Sequence, residues 1–438
     1  MKVRSHKKDK VNIVTLGCSK NLVDSEVMLT QLRANEIDAH HQLEDDNSNV
    51  IIVNTCGFID NAKQESIDTI LQYASVKSEG GIDKLYVTGC LSQRYRDELM
   101  QEIPEVDAWF GTMELPALLE KFQADYRQEL LGERIITTAP HTAYLKISEG
   151  CNRTCSFCAI PLMRGGHRSR PMEDLVTEAS RLVANGVVEI MLIAQELTYY
   201  GLDLYKERML PELLRQLSDI EGLRWIRLHY AYPSKFPLEV IDVMRERNNI
   251  CNYLDMPLQH ASDSVLHAMR RQITRTETEA LVHEIRRRNP EITLRTTMLV
   301  GFPGETEEDF EDLLDFVRKM RFNRLGVFTY SHEEGTSGYE LEDDVPDDVK
   351  QERAAKLMSV QEEIAAEWNQ TFVGKELTVL IDRLEGEHFV GRTEGDSPEV
   401  DNEVLISVHN QYLRLGDFVQ VHITGADAFD LYAEPVQK

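Results

Sequence analysis

Cys151, Cys155 and Cys158 stand in the segment EGCNRTCSFCAIP at a Cys-x3-Cys-x2-Cys spacing. Three thiolates on one short loop suit a soft metal centre, and a 4Fe-4S cube ordinarily takes four protein ligands. Three ligands leave one iron open, and an open coordination position is what a catalytic metal needs. A zinc site completed by a histidine such as His167 is the alternative these residue types leave standing. Buried, unliganded cysteines fit less well, because Asn152, Arg153, Thr154 and Ser156 make the loop polar. Three more cysteines, Cys18, Cys56 and Cys90, each follow an apolar run, in TLGC, VNTC and VTGC. Thiols at the carboxyl ends of three strands of one parallel sheet converge where such sheets bind ligands, which would make a second three-cysteine cluster. Three separately buried cysteines are the competing reading. Cys251 stands alone before NYLDMPL and reads as a core residue.

The elements that must hold these residues follow from the apolar pattern. At 438 residues the chain is too long for one ordinary core, so two or three domains are expected. The opening third alternates short apolar runs (VNIVTLG, NVIIVNT, KLYVTG) with helical patterns, one from about Val23 to Arg33 and one after Ile59. Runs without alternation suit parallel strands covered on both faces, so residues 11–126 are expected to form a parallel α/β domain. The pattern lapses between about 125 and 140 and restarts at Tyr144 with AYLKIS, VVEIMLIA, LRWIRLHY, NYLDMPL, TLRTTMLVG and RLGVFTY, separated by helices such as MEDLVTEASRLVANG, which Gly186 stops. Repeated strand-helix units predict a complete or partial (β/α) barrel over 137–369, with chemistry at the carboxyl ends of its strands and an acidic amphipathic helix from Pro346 to Gln370 leading out. Short β patterns from Thr371 onward predict a small antiparallel β-barrel over 371–438.

Composition narrows the function classes. With 48 basic and 75 acidic residues the net charge is −27, which disfavours a protein that grips phosphate backbones over its whole surface. No apolar run reaches the roughly 18 residues of a membrane span, and the polar start MKVRSHKKDK does not resemble an export signal. A cytoplasmic protein with no membrane partner is expected, its seven cysteines reduced and free to bind metal.

At the EGCNRTCSFCAIP loop the sequence resembles the radical S-adenosylmethionine superfamily, whose three-cysteine motif begins a (β/α) barrel. The resemblance implies that Cys151, Cys155 and Cys158 hold a 4Fe-4S cluster whose open iron chelates S-adenosylmethionine, the source of a 5′-deoxyadenosyl radical. Almost the whole chain is similar to the methylthiotransferases, which implies a second 4Fe-4S cluster on Cys18, Cys56 and Cys90 and a tail of the barrel type called TRAM. LGCSKNLVDSE, NTCGFIDNAKQES, LKISEGCNRTCSFCAIPLMRGGHRSRP, DMPLQHASDSVL, GFPGETEEDF and GRTEGDSPEVDNEV resemble the branch that modifies the β-carbon of an aspartate in small-subunit ribosomal protein S-twelve. The branch that modifies adenosine in transfer RNA typically has a glutamine-methionine-asparagine run after its first cysteine. The implied mechanism has one S-adenosylmethionine methylating a sulfur held at the N-terminal cluster. A second supplies the radical that takes hydrogen from the aspartate, and an unidentified low-potential donor provides the electron. The competing readings are a transfer RNA methylthiotransferase and a non-catalytic, ribosome-binding iron-sulfur protein.

Further candidates follow from position. Gln195 and Glu196 come after VVEIMLIA, and Arg295 and Gly301 flank TTMLV, so all four are placed to face the barrel mouth and hold S-adenosylmethionine, with structural roles as the alternative. Arg164, in PLMRGG, is expected either to pair with a carboxylate of the cofactor or target, or to be a surface arginine. Residues 371–438 carry five basic and thirteen acidic side chains, a sign that repels RNA and attracts a basic protein. Asp396, Glu399 and Asp401 are the substrate-binding candidates there, against the alternative of a solvated acidic surface.

Overall fold

The computed structural model describes residues 9–43, 47–130, 132–409 and 412–436; the first eight residues, on which the reading of the polar start partly rests, lie outside this range. Strands β1 (Lys10–Thr15), β2 (Asp38–His41), β3 (Val50–Thr55), β4 (Lys84–Gly89) and β5 (Ala108–Trp109) form one parallel sheet in the order β2-β1-β3-β4-β5. Every residue of β3 is buried, as a strand covered on both faces requires. Val50 and Ile52 pack with Leu29 and Leu32 of the helix Ser19–Ala34, while Ile51 and Val53 pack with Ile70 and Ala74 of the helix Asp60–Ser78.

The second unit is built on β6 (Thr142–Lys146), a short antiparallel ribbon of β7 (Ser148–Glu149) and β8 (Arg168–Ser169), and then β9 (Glu189–Ile193), β10 (Trp225–Leu228), β11 (Ile250–Asp255), β12 (Thr293–Val300) and β13 (Arg324–Thr329). The six long strands pair in parallel in the order β6-β9-β10-β11-β12-β13, an open, partial version of the closed eight-stranded barrel. Their outer face packs on helices such as Met172–Ala184, whose end is turned by Gly186 at φ +103°. The helix Asp347–Gln370 leads to the tail. Among the described residues no helix is long and apolar enough to cross a membrane.

The tail strands β14 (Glu376–Glu385), β15 (His388–Arg392), β16 (Glu403–Ser407), β17 (Phe418–Ala426) and β18 (Asp430–Pro435) close a barrel in the order β14-β15-β16-β18-β17. Its pairings are antiparallel except that of β16 with β18, because the chain crosses the barrel between them by way of β17. The linker between β15 and β16 reaches into the concave face of the six-stranded sheet, so Asp396 and Asp401 do not form the exposed acidic surface expected of them. Asp396 is 1% exposed and accepts two hydrogen bonds from the Arg324 guanidinium, at 2.6 and 3.0 Å. The Asp401 carboxylate accepts from the Tyr253 hydroxyl at 2.7 Å and from Arg295 Nε at 3.3 Å. Each acid is buried because a cation or hydroxyl of the sheet meets it. Glu399 alone of the three is exposed.

At the centre of this junction Glu189 of β9 lies between two guanidiniums, 3.0 Å from Arg227 Nε and 2.7 Å from Arg392 Nη2, with all three side chains almost wholly buried. Removing one member of such a group leaves the others uncompensated in a low-dielectric interior, which costs about 3–5 kcal/mol. Glu189→Leu is therefore expected to lower the unfolding free energy by about 3–5 kcal/mol and to make the tail more susceptible to protease; an unchanged unfolding free energy would show that the triad is not a structural latch.

Candidate functional site

Cys18, Cys56 and Cys90 follow β1, β3 and β4, three adjacent strands of the first sheet, at their carboxyl ends. Two glycines let these turns close on one another. Gly17 has φ +87° and a Cβ there would come within 2.8 Å of Cys56 Sγ; Gly89 has φ +101° and its Cβ would meet the Thr55 carbonyl at 2.5 Å. A glycine stands beside each cysteine, in LGC, TCG and TGC, a sequence feature that the reading from apolar runs did not use. Burial pushes the Cys90 thiol up to about 12 and raises Cys56 as well, with Cys18 adding to both. The Arg164 guanidinium opposes this at Cys90, its Nε donating to Sγ at 3.3 Å.

Cys151, Cys155 and Cys158 occupy the loop held by the β7–β8 ribbon, just beyond the carboxyl end of β6. Burial raises Cys151 to about 11 and Cys158 to about 12. Two donors are already aimed at this loop's sulfurs: the Arg153 amide reaches Cys151 Sγ at 3.4 Å and Arg271 Nη1 reaches Cys155 Sγ at 3.3 Å, while the Tyr232 hydroxyl, 3.6 Å from the same atom, donates its proton to the Arg271 carbonyl at 2.7 Å. Arg153 itself is stacked between the rings of Tyr199 and Tyr232, at 4.0 and 3.8 Å. Neither Tyr232 nor Arg271 carries a motif signal in the sequence, since each is brought to the loop from a distant element.

These sets suit iron-sulfur clusters on two counts. The ligand atoms are all sulfur, and cationic or N–H donors point at them, which favours thiolates and tunes a cluster. Among the described residues no three His, Cys, Asp or Glu side chains converge as ligands of one ion would. A cube binds each thiolate at a different iron and does not need that convergence. His167, the histidine of the zinc reading, is instead engaged with Ser169, its Nε2 3.1 Å from Oγ.

A buried polar bridge joins the two sets. Arg164, on the short helix Ile160–Arg164 that follows Cys158, pairs with Asp24 at 2.6 Å and Glu149 at 3.4 Å and also donates to Asn21. It is thus neither a surface arginine nor free for a carboxylate of cofactor or target: its partners belong to the chain. Lys146 completes the bridge by contacting both Asp24 and Glu149. Burial alone would raise the Glu149 carboxyl, but Lys146 and Arg164 beside it hold it down at about 2.

The other candidates separate. Gln195 donates to Glu149 at 2.5 Å and keeps a buried carbonyl oxygen with no hydrogen-bond partner, so it remains available at the mouth. Glu196 does not: one oxygen accepts from Thr198 N and Oγ1, at 2.7 and 2.6 Å, and the other pairs with Arg153 at 3.1 Å. Arg295 is taken up by Asp255 and Asp401 at the tail junction, away from the cysteine loop. Gly301 has φ +74°, and the group that leaves no room for a side chain there is Lys350, whose Cγ would stand 2.2 Å from a Cβ.

Known families and proteins match this arrangement along the chain. The model of an uncharacterized protein family, UPF0004, matches residues 10–111, that of the Radical SAM superfamily residues 145–317 and that of the TRAM domain residues 373–436. A protein of Cytophaga hutchinsonii named ribosomal protein uS12 methylthiotransferase RimO is 61% identical, with 100% of each chain covered. The chain belongs to the RimO family of methylthiotransferases. A RimO protein of Phocaeicola vulgatus is 53% identical over 98% of this chain and 99% of its own. The chain is accordingly a radical S-adenosylmethionine methylthiotransferase. The structure of the radical S-adenosylmethionine methyltransferase TsrM from Kitasatospora setae, at 15% identity and a TM-score of 0.54 over 76% of this chain and 77% of that one, shares the fold.

Proposed function

We propose that this RimO-family chain carries one 4Fe-4S cluster on Cys151, Cys155 and Cys158 and another on Cys18, Cys56 and Cys90, and adds a methylthio group to an aspartate β-carbon in ribosomal protein uS12. The observation that supports this reading is the bridge: Arg164, six residues beyond Cys158, donates to Cys90 Sγ at 3.3 Å, which ties the segment after one three-thiol set to a thiol of the other. When bound, S-adenosylmethionine and the clusters supply a hydrogen-abstracting radical and a methylated sulfur. The chain's own share is placement. The β7–β8 ribbon fixes one thiol loop, Gly17 and Gly89 let the other close, and Arg271, Arg153 and Arg164 favour thiolates. Gln195 is the cofactor-facing candidate that keeps an unused polar atom. Glu399 is the tail carboxylate positioned to meet a basic protein, and a low-potential electron donor completes the set of partners.

The test is mass analysis of ribosomal proteins from cells with and without the gene, alongside nucleoside analysis of their transfer RNA. The expected result is a methylthio group on uS12 that disappears with the gene while transfer RNA is unchanged. Loss of a methylthioadenosine instead would overturn the choice of substrate.

A further inference from the structure

Two residues beyond Cys18, Lys20 is 7% exposed. It lies in the first turn of the helix Ser19–Ala34, which has no side-chain cap and no acidic residue in that turn. Its ammonium nitrogen sits 3.1 Å from the centroid of the Tyr230 ring, and among the described residues it has no hydrogen-bond or ion-pair partner. Tyr230 follows β10, and two residues further on Tyr232 places its hydroxyl 3.6 Å from Cys155 Sγ. The segment after β10 thus touches Lys20, beside Cys18 in the chain, through Tyr230 and touches Cys155 of the other thiol set through Tyr232.

Its surroundings make the missing partner conspicuous. Burial and the charges of Arg227, Lys20, Arg295 and Arg392 together lower the pKa of His229, so all four cations act on one region of the concave face. Three of them are compensated: Arg227 by Glu189, Arg295 by Asp255 and Asp401, and Arg392 by Glu189 and Asp382. Lys20 has only an aromatic face. The exposed carboxylate of Glu399 acts on Tyr144, a member of the same apolar cluster as Tyr230, and makes no ion pair with Lys20. A cation–π contact offsets only part of the desolvation of a buried ammonium. The uncapped helix start adds a second positive end directed at anions.

We infer that Lys20 is the recognition point for the carboxylate of the substrate's aspartate side chain, held between the two thiol sets with its β-carbon toward them. This rests on the aspartate reading of the proposed function. A carboxylate is the group that Lys20 lacks, and binding it by its oxygens leaves the adjacent carbon unobstructed. The site also rejects a neutral base, which would leave the ammonium uncompensated.

The test is a thermodynamic cycle on the full-length, anaerobically loaded protein. Affinity is measured for ribosomal protein uS12 and for a variant of it with asparagine at the modified position, using wild type, Lys20→Met and Lys20→Arg. A charge-assisted hydrogen bond predicts that wild type prefers aspartate by about tenfold. Lys20→Met should show no preference and Lys20→Arg should retain most of it, a pattern that general damage to the fold would not produce. A preference that persists in Lys20→Met, or is absent in wild type, overturns the assignment. Failure of the underlying reading shows separately, as uS12 that is unmodified in cells holding the gene.

Discussion

Replacing Cys151, Cys155 and Cys158 together by alanine is expected to halve the iron bound after anaerobic reconstitution and to abolish cleavage of S-adenosylmethionine. On the proposed function the three thiols of the loop beyond β6 hold the cluster that cleaves the cofactor, and Arg271 Nη1 donates to one of them, Cys155 Sγ, at 3.3 Å. The fold should survive, because the loop contributes little to the barrel core, which is built from residues such as Leu145, Leu192, Ile226 and Leu254. Cys251→Ala provides the control. Its thiol is fully buried among Trp225, Tyr253 and Leu380, so its removal should leave the iron content unchanged. Stoichiometric zinc and no iron-sulfur absorption in wild type would defeat the expectation at its first step.

Alanine at Cys18, Cys56 and Cys90 should separate the two duties. Methylthio transfer is expected to disappear, while reductive formation of 5′-deoxyadenosine continues at the other loop. The sheet that carries these residues has its own core on both faces, and the thiols lie at strand ends beyond it. Arg164 would lose its sulfur acceptor and keep Asp24 and Glu149, so the bridge itself should hold. Iron should again fall by half, which mass spectrometry or absorption can check. Full methylthiolation of uS12 by this triple variant would mean that the N-terminal set does not hold the transferred sulfur.

The main strands, the cysteine-bearing turns and the helix leading to the tail were legible because they rest on local signals: unbroken apolar runs, a cysteine after three of them, Gly186 at a helix end. What was not legible depends on side chains from distant segments meeting. Asp396 and Asp401 carry the same charge as any exposed acid, and only Arg324, Tyr253 and Arg295 opposite them turn the linker inward. Likewise Arg164 is a bare arginine in PLMRGG until the helix after Cys18 brings Asn21 and Asp24 to it. Glu196 follows the strand as expected, but Thr198 and Arg153 use both of its oxygens. Tyr232 and Lys20 had no spacing to mark them.

The shared carboxylate of Glu189 bears on how such chains can be recombined. The closed tail barrel has a self-contained apolar core around Val379, Ile381, Val404 and Ile423, which would make it look portable between relatives. Yet Arg392 finds its partners partly on β9, and Asp396 and Asp401 find theirs on β13, β11 and β12. A chimera whose new linker lacks Asp396 and Asp401 would leave Arg324 without its carboxylate and Arg295 with Asp255 alone. Exchange of this module therefore requires matched changes on the sheet it covers, and residues 392–401 should be inherited together with Glu189, Tyr253, Arg295 and Arg324 as one unit of variation.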